Sequence, residues 1–212
     1  MDKAERIRNE KLGASLIKAL ALRHFDAYYC ASSSEAAEKI LSLIPKTDVV
    51  SWGGSMTMEA LGVIDRVKKG GWRVIDRSTA QSQEEKIEIM RRALLCDTYL
   101  TGANAISEDG EIVNVDGNGN RVAAMTFGPK SVIVACGINK VVKTAQDAVS
   151  RARNTAAPVN AQRFDIRTPC KTTGSCADCK STDSICSYIV RTRLCKPAGR
   201  IKVVLIGEAL GF

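Results

Sequence analysis

The chain has 212 residues, 45% of them hydrophobic and 25% charged, with a formal net charge of +8. That length suits one α/β domain with a small appendage and a sizeable core. An aromatic content of 5%, with cations spread along the chain, argues against a base-stacking or basic nucleic-acid surface and favours small anions or acidic partners.

The N-terminal "MDKAERIRNEKLG" is charged and helical in pattern. It has no apolar signal core, and no stretch approaches the length of a membrane span, so a cytoplasmic protein is expected. Ile7, Leu12, Leu16 and Leu20 recur at helical spacing within residues 2–29, and His24 is placed on that helix as a structural residue. A second helix follows the candidate caps Ser32–Ser34, turns Ala36, Ala37, Ile40, Leu41 and Ile44 inward, and ends at Pro45. "DVVSWGGSMTMEALGVIDRVKKGG" predicts a strand (48–52), a Gly-rich turn (53–54) and one helix (55–69), with a short strand over 72–77. "SQEEKIEIMRRALLCD" is an acid-started helix, suited to the positive end of the helix dipole, and "TYLTGAN" is a strand. "EIVNVDGNGNRVAAM" has the Asp-Gly and Asn-Gly pairs of tight turns. "KSVIVACGI" is a buried strand, and "VVKTAQDAVSRARNTAA" a helix stopped near Pro158. "ICSYIVRTRLCKPAGRIKVVLIGEALGF" predicts two strands around a Lys-Pro-Ala-Gly turn. Cys30 and Cys96 are read as helix-borne core residues. The alternation over 48–155 predicts an α/β fold with a mostly parallel sheet and helices on both faces.

In such a sheet, ligands bind beyond the carboxyl ends of the strands. Gly53 and Gly54 let the backbone approach a ligand, Ser55 and Thr57 add hydroxyls, and Glu59 lies one turn into the following helix. The free N–H groups of a helix start favour a phosphate or carboxylate. A plain cap, with Ser55 on the backbone and Glu59 on the dipole, explains the same residues.

Eight cysteines in a reducing compartment point to metal or redox chemistry rather than a disulfide framework. Cys170, Cys176, Cys179 and Cys186 are spaced C-x5-C-x2-C-x6-C, and the central pair has the spacing that turns two sulfurs to one metal centre. Three readings stay open: an iron–sulfur cluster of the four-iron type, a structural zinc, or ordinary thiols with no cofactor, including a redox pair at Cys176 and Cys179. Cys195 is an alternative ligand. Cys136 is read as a small buried apolar residue, because no histidine lies near it in sequence to activate it.

"SWGGSMTMEALG" followed by "DTYLTGANAISEDGEIVNVDGNGNRVAAMTFGPKSVIVACGINKVV" resembles the lactate-utilisation (LUD) domain family, and the tail "GRIKVVLIGEALGF" resembles its short free-standing branch. That family is similar to the superfamily of glucosamine-6-phosphate deaminase, ribose-5-phosphate isomerase and the CoA transferases. The resemblance implies a Rossmann-like α/β domain over 1–212, with N-terminal helices (1–47), an α/β core (48–158), and a Cys-rich loop plus strand hairpin (159–212). It implies a ligand pocket at Gly53–Ser55 and a role in lactate or organic-acid utilisation. A small anionic metabolite and iron–sulfur oxidoreductase subunits are the implied partners, with a homo-oligomer as a further possibility.

"TGANA" stands in the place of the "GAD" segment of the sugar-phosphate isomerases, with Asn104 at the carboxylate position. An amide cannot serve as a general base near neutral pH. Glu59 and Asp116 are candidate relocated bases. The glutamate nucleophile of CoA transferases has no assigned counterpart. Asn114, Asn120 and Arg121 are expected near the pocket, with Arg121 as an anion clamp. Lys140, after the "VIVACG" strand, is a second anion-binding candidate.

Overall fold

The computed structural model describes residues 2–212. The chain begins with α1 (Lys3–Leu22), β1 (Asp26–Cys30), α2 (Ser33–Ser42), β2 (Val49–Trp52), α3 (Met56–Ala60), α4 (Val63–Lys69) and β3 (Arg73–Ile75). Then come α5 (Gln83–Arg92), β4 (Thr98–Gly102), β5 (Ala105–Ser107), β6 (Ile112–Asp116), α6 (Asn120–Thr126), β7 (Ser131–Gly137) and β8 (Val141–Val142). The last elements are α7 (Ala145–Arg151), α8 (Ala157–Ala161), α9 (Pro169–Thr173), β9 (Tyr188–Thr192) and β10 (Ile201–Ile206).

Six strands form an all-parallel sheet in the order β1-β10-β7-β4-β2-β3. Its central strands are apolar on both faces, as a sheet covered by helices on each side requires. In β7, Val132, Val134 and Cys136 face a core shared with Leu16 and Leu20 of α1 and Met125 of α6. Ile133 and Ala135 face the opposite core, with Ile40 of α2, Met58 of α3 and Val67 of α4. A second sheet, β8-β5-β6-β9, packs Ala105, Val113 and Val115 against Ala148 and Ala152.

Several expectations are corrected. The first helix stops at Leu22, His24 turns the chain with φ 67°, and residues 26–30 are a strand. Pairing with β10 overrides the helical pattern there. Gly13 makes this packing possible, because a Cβ would lie 2.3 Å from the Tyr29 ring. Ile7 is exposed at 40%. Cys30 is therefore on a strand, and Cys96 follows a short 3-10 turn; both are buried.

The predicted helix 55–69 is two helices, divided at Gly62 with φ 64°. The turn-rich segment contains β6 and α6. The helix predicted to stop near Pro158 passes through it, because a π-helical turn over Ala152–Ala156 widens the backbone just before the proline.

The predicted C-terminal hairpin does not form. β9 joins the small sheet beside β6, whereas β10 is inserted in the main sheet between β1 and β7. "IKVVLI" is apolar on both faces and belongs in the middle of a sheet; "YIVRT" has one exposed face. The main sheet thus takes a strand from each flank of the 48–158 segment.

Glu111, 2% exposed, ties three of these elements together. It lies 3.1 Å from Arg23, after α1, and is also paired with Arg191 of β9. The bond from Arg191 holds its carboxyl below the ordinary range against the opposing effect of burial. Because the folded value is the lower one, this stabilisation is present above the unfolded pKa and is lost as pH falls through the folded pKa. Glu111→Ala is expected to cost about 2 kcal/mol, the scale of lost hydrogen bonds to charged groups; Arg191 loses its partner, whereas Arg23 keeps Asp109 at 2.6 Å. That corresponds to about 4–8 °C in Tm for a chain of this size, and calorimetry would read it.

Candidate functional site

The carboxyl ends of β2, β4 and β7 lie side by side, so the loops after them meet at one edge of the sheet. Their residues enclose a pocket of about 40 Å³. Gly54, Ser55, Asn104, Arg121 and Lys140 all line it, joined by Arg163. Among the described residues no side-chain carboxylate is in the lining.

Lys140 is 3% exposed. Its ammonium donates to Thr57 Oγ1 at 2.9 Å and to the Ala103 carbonyl at 3.3 Å. Burial pushes its pKa down, and Arg151 and Arg121 push in the same direction, against Cys136. A charged lysine held by two neutral acceptors is still short of a counter-charge.

Arg121 is anchored from behind. It donates from Nε to Asp116 at 3.3 Å and from Nη2 to the Val115 carbonyl at 2.6 Å and to Asn104 Oδ1 at 3.4 Å. Asp116 thereby serves to position Arg121. Asn104 is fixed as well: its side-chain oxygen accepts from Val115 N–H at 2.8 Å, and its carbonyl accepts from Arg151 at 2.5 Å.

Ser55, in the pocket wall, is the N-cap of α3 and accepts from Met58 N–H at 3.2 Å. The other expected residues lie around the pocket. Gly53 is buried beneath the turn, and its N–H donates to the Leu100 carbonyl at 3.0 Å. Thr57 reaches the site through Lys140. Glu59 points outward, half exposed, 3.8 Å from Arg163. Asn114 is buried behind Asn104 and accepts from its N–H at 3.2 Å. Asn120 lines a neighbouring groove of about 680 Å³.

Arg163 and Asn160 are in the pocket wall only because the chain runs helically through Pro158. A helix read as ending at that proline hides both.

The four cysteines line a separate cavity of about 60 Å³. Cys170 comes from α9, Cys176 and Cys179 from the loop after it, and Cys186 from just before β9. Ala157, Pro158 and Ile189 supply apolar walls, and Arg153 supplies a cation whose Nη2 lies 3.9 Å from Cys176 Sγ. Asp178 is paired with Arg153. The Cys186 thiol is pushed up to about 11 by burial and by the other three thiols. Among the described residues no three metal-ligating side chains meet closely enough for a single ion. Cys195 lies elsewhere, in the core with Leu16 and Leu20, where its sulfur accepts from Ile201 N–H at 3.2 Å. Cys136 is fully buried on β7, and burial raises its thiol to about 11, which makes it a poor nucleophile.

The family model of the LUD domain matches residues 14–206. The chain belongs to the LUD domain family. The match takes in the pocket strands, all four clustered cysteines and β10. A DUF162 family protein from Deinococcus radiodurans is similar to this LUD domain over 95% of this chain and 97% of its own, at 15% identity and a TM-score of 0.52. At that identity the likeness shows a shared fold. Translation initiation factor eIF-2B of Pyrococcus horikoshii OT3 is similar over 55% of this chain and 50% of its own, at 18% identity and a TM-score of 0.38. The corresponding values for eIF2B delta from Chaetomium thermophilum are 52%, 48%, 19% and 0.33. No curated protein matches this LUD domain. Among its described residues no helix is long and apolar enough to cross a membrane.

Within the LUD domain the two sites are neighbours. Ser184 lines both the cysteine cavity and the groove, and the helical run that carries Arg153 into the first continues to Asn160 in the pocket.

Proposed function

We propose that this LUD domain binds a small organic acid, lactate or a relative, at the carboxyl ends of β2, β4 and β7. The observation that carries this reading is the convergence of Arg121, Lys140 and Arg163 on a pocket with no side-chain carboxylate. Charge-assisted hydrogen bonds from such cations are the strong ones for carboxylate and phosphate. Lys140 supplies a buried ammonium, Arg121 a pre-positioned guanidinium, and Gly54 the backbone clearance. Aldose–ketose isomerisation gains no support: Asn104 cannot accept the proton, Asp116 is engaged by Arg121, and Glu59 faces outward.

The test is a thermal shift with lactate, pyruvate, CoA and sugar phosphates. A ligand at about 100 times its Kd adds about 2.7 kcal/mol, a rise of about 5–10 °C. Gly54→Asp should abolish the shift, because its carboxylate would sit beside Arg77, whose Nη2 is 3.0 Å from where a Cβ on residue 54 would stand. No shift with any of these anions would remove the pocket reading.

We further propose an iron–sulfur centre held by Cys170, Cys176, Cys179 and Cys186. The supporting observation is that the four thiols line one cavity, the ligand number such a cluster takes. Arg153, shared with Asp178, lies beside the thiols. Such a centre supplies one-electron transfer when bound, consistent with work alongside iron–sulfur oxidoreductase subunits. Metal analysis after anaerobic purification decides it: iron with sulfide supports the cluster, stoichiometric zinc replaces it, and neither after reconstitution removes both.

A further inference from the structure

The strand-end pocket is small. Its volume of about 40 Å³ has room for about three water-sized groups, enough for a carboxylate or one phosphoryl head. It opens past Gly54, Arg121, Asn160 and Arg163 into the groove of about 680 Å³, a size typical of ligand sites.

Arg77 stands over this opening from the turn after β3, with its Nη2 above Gly54. Its sequence neighbour Asp76 does not neutralise it, being bound by Lys68 at 2.6 Å and by Ser78. Among the described residues Arg77 itself has no ion pair or hydrogen bond. The ammonium of Lys86, also in the groove wall, has none either among the described residues. The groove carboxylates do not compensate: Asp116 is on Arg121, and Asp183 is engaged by the Arg167 N–H at 2.9 Å, which leaves Asp165 alone.

Tyr99 supplies an independent observation. It is 1% exposed, and its hydroxyl lies against Gly53, 3.1 Å from where a Cβ would stand. Arg77 and Arg121 are the cations acting on it. The hydroxyl has no hydrogen-bond partner among the described residues, and since no fully enclosed side-chain polar atom lacks one, the oxygen keeps a small solvent contact. A buried phenol usually finds a partner, and here the space beside Gly53 is where one can come from.

We infer that the ligand carries two acidic groups on a short spacer, as a dicarboxylate or a phosphorylated carboxylate does: one group sits in the pocket against Lys140 and Arg163, and the other lies over Gly53–Gly54, where Arg77 and the Tyr99 hydroxyl donate to it. This rests on the anion pocket proposed above and narrows its ligand class.

Calorimetric titration of the full chain with two matched pairs tests it: lactate against malate, and glycolate against phosphoglycolate. The diacid of at least one pair should bind tenfold tighter or more, and the pair that shows the gain identifies the second group as carboxylate or phosphate. Arg77→Met should bring that ratio close to one. Tyr99→Phe, nearly isosteric, should lower it several-fold with an unchanged circular dichroism melt. Lys140→Met should weaken all four acids. Equal affinities within both pairs, or a ratio that survives both Arg77→Met and Tyr99→Phe, would overturn the inference while leaving the pocket intact. Absence of binding by all four acids removes the pocket reading and this one with it.

Discussion

Lys140→Met should cut affinity for any anion in the strand-end pocket by about 100-fold, the scale of losing charge-assisted hydrogen bonds, without unfolding the protein. Methionine fills nearly the same volume, and the substitution removes a charge that is 3% exposed and held only by Thr57 and a carbonyl. The unliganded variant should therefore melt no lower than the wild type. The pH behaviour gives a second readout. Burial places the folded pKa of Lys140 below the ordinary 10.5. Between those two values the unfolded chain binds a proton that the folded chain does not, so this residue makes stability rise with pH. Anion binding needs the ammonium and should weaken over the same window. Lys140→Met should flatten both trends. An unchanged titration with lactate or phosphoglycolate in the variant would show that the anion sits elsewhere.

Replacing Cys176 and Cys179 together by serine should eliminate bound iron and visible absorbance from anaerobically prepared protein. Serine is a poor ligand for a centre that takes four thiolates, and these two residues supply half of the sulfurs lining the cavity. Cys195→Ser is the control. That sulfur is packed in the opposite core beside Ile201 and should be lost without any change in metal content. Equal iron in the double variant and the wild type would place the metal away from this cavity. The loop from Cys176 to Cys186 also ends in the groove wall at Thr182–Ile185. Metal loss should therefore raise protease sensitivity there.

Much of the frame is legible in the residues. Continuous β-branched runs such as "SVIVACG" mark strands buried on both faces, and they are observed at the predicted places. The Gly-Gly-Ser turn stands where an open α/β sheet puts its ligands. Four cysteines within 17 positions needed no fold to suggest a common centre. Other features were hidden. "DAYYC" is five residues directly after a long helix, and only its pairing with β10 makes it a strand. "YIVRT" and "IKVVLI" are near neighbours in sequence yet belong to different sheets. Arg77 and Arg163 carry no local sign of a site, because the turn after β3 and the helix through Pro158 bring them there.

The sequence by itself determined the apolar central strands, the caps, the family and the grouping of the thiols. All of these are set by spacings of a few residues, which local geometry and side-chain type decide. Tertiary structure decided the strand order, the burial of Lys140 with no ion pair among the described residues, the exclusion of Cys195 from the cysteine cavity, and the neighbourhood of the two sites. Those depend on which apolar faces are buried against which. That choice is made between segments as far apart as β1 and β10, so no window of sequence contains it.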